Sequence, residues 1–114
     1  MKQDKITRAW LKKQGACKED IEYFDTLGIS DVLELIKKLR EDKKAHYLAW
    51  LARNIDSKEA LALLAKDASA YVRYEAARSP NTSKETLALL AKDKDADVRY
   101  GVAENPNTDK KGVR

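Results

Sequence analysis

The chain is poor in the groups that usually carry chemistry. Among 114 residues it has one cysteine, Cys17, and one histidine, His46. A lone cysteine allows no internal disulfide and no cysteine-based zinc or iron–sulfur site. Catalysis by an imidazole normally needs a nucleophile and a third group to orient the ring, so His46 reads as a surface or packing residue. Cys17 follows Gly15-Ala16 near a helix start, where the dipole would lower a thiol pKa. Its plainer reading is a small buried residue. There are only four glycines and two prolines. None falls in G-x-x-x-x-G-K or G-x-G-x-x-G, and neither H-E-x-x-H nor C-x-x-C occurs. The carboxylate pairs Glu19-Asp20 and Glu41-Asp42 read as solvated helix charges. An enzyme is therefore not expected, and no cofactor is implied. No segment approaches the roughly 18 consecutive apolar residues that span a bilayer. The opening "MKQDKITRAWLKKQG" has no apolar run of roughly seven residues such as a secretory signal needs. The expected location is the cytoplasm.

Charge of one sign is also scarce. The net charge is +4, from 23 basic and 19 acidic residues. Residues 1–53 carry 12 basic and 9 acidic groups, and residues 54–114 carry 11 and 10. The signs interleave without a basic tail or stripe, which argues against a nucleic-acid footprint. Apolar residues make up 43% and charged residues 37%. With so little Gly and Pro, that composition suits a helical, single-domain chain over 1–114.

What is present is a repeat. "KDASAYVRYEAARSPNT" over 66–82 returns as "KDKDADVRYGVAENPNT" over 92–108. Ser57 aligns with Ser83, Leu61 with Leu87, Arg73 with Arg99 and Pro80 with Pro106, always 26 apart. A fixed period in this range signals supersecondary units that bury their apolar faces only by stacking. Each unit reads as two helices. Helix A spans about 57–67 and 83–93, behind the capping boxes Asp56-x-x-Glu59 and Thr82-x-x-Glu85. Leu61, Leu64 and Ala65, with Leu87, Leu90 and Ala91, form its apolar face, and Leu63 and Leu89 widen it. Helix B spans about 70–78 and 96–104, with Ser69 and Asp95 as caps and Val72, Ala76, Val98 and Val102 facing the core. It ends at "SPNT" and "NPNT", because the residue before proline leaves the α region.

These residues carry a resemblance. "LAKDxxxxVRYxVAxNPNT" resembles the bacterial leucine-rich repeat variant, and D-x-x-x-x-V-R, at Asp67 to Arg73 and Asp93 to Arg99, is similar to HEAT repeats. The resemblance covers about residues 56–110. It implies a short right-handed α-superhelix, an α-solenoid of helical pairs, with helix B on its concave side. The domain then divides into an atypical N-terminal helical cap, 1–55, and two repeats with a truncated third, 56–114. "YLAWLARNIDSKE" reads as a degenerate helix B, and the C-terminal edge lacks a cap, so a second copy of the chain could dock there. In the cap, helices are expected at about 4–14 (Asp4 cap), 18–27, 31–41 (Ser30 cap) and 44–53. Trp10, Trp50 and Phe24 are large enough to close the end of the stack. "AWLKKQGACKEDIEYF" is also similar to bacterial and prophage segments, a likeness that implies no activity.

Two sets of residues stand out. Arg73, Arg99, Asp67 and Asp93 read as a ladder locking one unit to the next; the rival reading is a basic ladder for phosphate or an acidic partner. Tyr74 above Tyr100, Arg78 beside Glu104, and Tyr47 one helix earlier read as a column that contacts a partner, since Tyr and Arg are enriched at binding hot spots. The leading expectation is a scaffold that binds another protein. The alternatives are a nucleic-acid-binding HEAT-like module and a phage- or operon-encoded inhibitor or structural subunit.

Overall fold

Serine side chains set where the repeat helices begin. In the computed structural model, which describes residues 4–108, Ser57 accepts the Ala60 N–H at 3.1 Å and Ser83 accepts the Thr86 N–H at 3.2 Å. Each satisfies a backbone donor that the first turn leaves unpaired. The helices A are α5 (Lys58–Leu64) and α7 (Lys84–Leu90), and the helices B are α6 (Ala70–Arg78) and α8 (Ala96–Glu104). Corresponding bounds differ by 26 residues. The N-cap is thus one residue later than Asp56 and Thr82, the expected caps. Thr82 is buried instead, and its hydroxyl donates to the Ala76 carbonyl at 2.6 Å, tying down the end of the preceding helix.

Upstream lie α1 (Arg8–Lys13), α2 (Lys18–Leu27), α3 (Val32–Glu41) and α4 (Ala45–Asn54). Thr7 caps α1, and Asp31 caps α3. Asp4, expected as the first cap, instead gives its carbonyl to the Val32 N–H at 3.0 Å, while Ile6 N–H donates to Ser30 O at 2.7 Å. The entering chain is so clasped to the loop before α3, an isolated bridge between Lys5 and Asp31. Gly28 ends α2 at φ 67, a left-handed conformation that glycine adopts without a Cβ clash.

The described residues are all helical apart from that bridge and the connecting loops. α6 packs between α4 and α8, so α4 takes the place of a helix B, and α5 lies against α3 and α6. The principal extents are 46 × 28 × 20 Å. The larger core runs from Ile6 through Leu35, Leu48 and Leu61 to Val72 and Ala76. Cap and first repeat therefore share one core across residue 55. A smaller cluster of Ala77, Leu87, Leu90, Val98 and Val102 follows. Trp10 and Trp50, both partly buried, meet edge-on at 5.7 Å against the larger one. Leu89, expected to widen the apolar face, is 66% exposed, because no described element packs over that side of α7. The truncated third unit falls on 109–114, outside the described residues.

Candidate functional site

The repeated charges join successive units. Arg73 is 8% exposed. Its Nε and Nη2 donate to the two carboxylate oxygens of Asp93 at 2.9 and 3.2 Å, and its Nη1 donates to the carbonyls of Asp67 and Ala68 at 2.9 and 3.1 Å. Paired, parallel donation of this kind is the strongest geometry a guanidinium offers a carboxylate. Burial pushes the Asp93 carboxyl up, but the hydrogen bonds from Arg73 and from the Asp95 N–H outweigh it and hold it below its ordinary value. Arg99 repeats one part of this, donating from Nη1 to Asp93 O at 2.6 Å, and is exposed.

Asp67 is held by a residue outside the repeat pattern. Arg40, at the end of α3, donates from Nε to Asp67 Oδ1 at 2.7 Å, and Ser69 N–H donates to Oδ2 at 2.9 Å. One period before Arg73 the sequence has Tyr47, which carries no cation, and α3 supplies the arginine instead. Pattern reading could not single out Arg40, since nothing in the linear spacing ties it to the repeat.

The turns after helix B also interlock. Asn105, fully buried, donates from Nδ2 to Ala77 O and Ser79 O, both at 2.7 Å, and accepts the Asn107 N–H at 2.8 Å. Asn81 donates to Ile55 O at 3.5 Å. Asn107 likewise donates to Pro80 O, so each turn reaches the turn one unit earlier through the asparagine of the recurring P-N-T.

Apart from these engaged groups, two tyrosines and Leu89 are the large apolar side chains that stand exposed among the described residues. Tyr71, Tyr74, Tyr100, Ala70, Asp95 and Asp97 line an open groove of about 450 Å³ between α6 and α8. Tyr100 is 61% exposed, Tyr71 43%, and Tyr74 half-buried. The helices approach closely because position 101 is glycine: a Cβ there would lie 3.1 Å from Tyr74 Cδ1 and 3.2 Å from Ala77 Cβ. Arg78 stacks over the Tyr74 ring at 5.4 Å and meets Glu104 at 3.7 Å, so the expected Arg78–Glu104 neighbourhood is present. His46 rests edge-on against Tyr71, with centroids 6.0 Å apart.

Tyr47 does not belong to this surface. It is 2% exposed and packs edge-on against Tyr23 and Trp50. The 26-residue period sets Leu48, not Tyr47, in register with Tyr74, and turns Tyr47 inward toward the cap. Its hydroxyl has no hydrogen-bond partner among the described residues, and burial raises its pKa. Tyr71 was missed, because its counterpart in the second repeat is Asp97 and no column marked it.

Cys17 is the N-cap of α2 and is exposed, not buried. A hydrogen bond from the Asp20 backbone lowers its thiol pKa, but desolvation and the carboxylates of Asp20 and Glu19 together raise it. The lowered pKa expected from the helix start is not seen, because desolvation and the acids of that first turn outweigh the backbone hydrogen bond. Among the described residues no group of three or more His, Cys, Asp and Glu side chains is placed to hold a metal ion, and no helix is long and apolar enough to cross a membrane. Compared with family models, with curated proteins and with solved structures, the chain finds no match in any of the three.

Proposed function

We propose that the chain is a non-enzymatic binding module, a short right-handed α-solenoid of the leucine-rich repeat variant or HEAT-like kind, and that it holds another protein in the groove between α6 and α8. The observation that carries this reading is the groove itself: three tyrosines share one open cleft, two of them well exposed. Tyrosine offers a large, rigid, amphipathic contact at little entropic cost, and an exposed aromatic cluster needs a reason on a small soluble surface. The solenoid is supported by the 26-residue displacement of both helices and by the side-by-side packing of α4, α6 and α8. The exposed free Cys17 fits a reducing compartment such as the cytoplasm.

The test is a selection of random displayed peptides on the immobilised chain, repeated on Tyr100→Ala. The reading expects an enriched set that the variant no longer retains. Enrichment that is identical on both proteins places binding elsewhere and contradicts it.

A further inference from the structure

The two repeats differ at the groove in a way that gives it a charge. Ser69 and Tyr71 in the first unit are replaced by Asp95 and Asp97 in the second. One wall is therefore aromatic, with Tyr71 and Tyr74, and the facing wall carries two carboxylates beside Tyr100. The chain as a whole is +4, so this acidity is local. The Asp97 carboxylate has no ion-pair partner among the described residues. Asp95 accepts the N–H groups of Asp97 and Val98 at 2.9 and 3.2 Å. The positive end of the α8 dipole is thus already answered, and an anion entering the groove would meet two like charges.

A second observation comes from the groove's aromatic wall. The Tyr74 ring already carries a guanidinium, that of Arg78 at 5.4 Å. Planar guanidinium stacks on aromatic faces and bonds carboxylates in pairs, and is less strongly hydrated than an ammonium. The groove sets both kinds of acceptor side by side.

Resting on the groove being the binding site, we propose that its occupant is an arginine side chain of a partner protein, stacked between Tyr71 and Tyr100 and paired with Asp97. The volume of about 450 Å³ leaves room for neighbouring residues of the same segment. Specificity for arginine over lysine follows from the stacking, since an ammonium is a point charge without a plane.

The probe is a short neutral peptide with one central arginine, N-acetylated and C-amidated, titrated into the intact chain and followed by amide chemical shifts. Matched peptides carry lysine or glutamate instead. The proposal expects saturable shifts confined to residues around Tyr71, Asp97 and Tyr100. Asp97→Asn should weaken the site about two- to fivefold, as loss of an exposed ion pair does. Tyr100→Ala should weaken it by a similar factor of about two to five through lost stacking. Lysine should bind more weakly and glutamate not at all. Equal binding of lysine, preference for glutamate, or indifference to Asp97→Asn would overturn the arginine assignment. The same variants read against the displayed peptides separate the two claims. Peptides that need Tyr100, lack arginine and ignore Asp97→Asn leave the groove as the site and sink its arginine. If no peptide depends on Tyr100, both fall.

Discussion

Arg73 of the first repeat holds Asp93 of the second through two nitrogens, at 2.9 and 3.2 Å, with both side chains largely buried. The same guanidinium also ties the turn that begins its own helix, through Asp67 O and Ala68 O. One side chain therefore fixes a turn within its unit and the spacing to the next.

Arg73→Ala should cost about 1–3 kcal/mol, because it strands buried acceptors. Arg99, exposed and holding one carbonyl, should lose no more than about 0.5 kcal/mol on the same change. Urea unfolding of both variants measures the difference. Equal losses would mean that burial of Arg73 contributes nothing.

The pair also sets an acid limit. The folded pKa of Asp93 lies below its ordinary value, so the folded state binds this proton less readily than the unfolded chain. Its contribution is present above the unfolded value of about 3.9 and is lost as pH falls through the lower folded value. The gap in stability between the parent and Arg73→Ala should hold at neutral pH and narrow below about pH 4. A gap unchanged by acid would show that the carboxylate is not what Arg73 stabilises.

At the boundary between repeats, Ser83→Ala should cost about 0.5–2 kcal/mol as a lost N-cap. Thr82→Val should cost about 0.5–1.5 kcal/mol, because it removes the shorter of the two hydrogen bonds that the Ala76 carbonyl accepts and leaves the one from the Ser79 N–H at 3.3 Å. Chemical melts check both. A stable Ser83→Ala with normal helicity would put the helix start elsewhere.

The interleaved charge predicts weak binding of DNA and RNA at most. Any affinity should vanish with modest salt, as befits few phosphate contacts. A salt slope corresponding to about six or more contacts would overturn this.

The repeat was legible in the sequence because helix packing demands it: Val72 and Val98, Arg73 and Arg99, and the P-N-T turns recur at one spacing, and both helices B begin and end where the pattern put them. In the second repeat the cap slipped by one residue because Thr82-Ser83 offers two hydroxyls in a row, and burial of Thr82 against the Ala76 carbonyl left Ser83 to face the helix; in the first, Ser57 rather than Asp56 takes the Ala60 N–H. Tyr47 was misplaced for a related reason. A tyrosine serves core and surface equally well, and only the register, which sets Leu48 with Tyr74, decides between them. Tyr71 and Arg40 have no counterpart in the neighbouring unit, so periodicity was blind to both; their roles come from what α8 and α5 bring beside them.

The central claim is that the repeat spends its arginine, aspartate and asparagine on stacking and leaves its tyrosines to bind. The most direct measurement is the affinity of a display-selected peptide for Tyr100→Ala, taken with its melting temperature. With 61% of Tyr100 exposed, the account predicts an unfolding free energy within about 0.5 kcal/mol of the parent. It predicts an affinity lowered about tenfold or more, as for a hot-spot truncation. Unchanged affinity, or a loss of stability like that of Arg73→Ala, would contradict it.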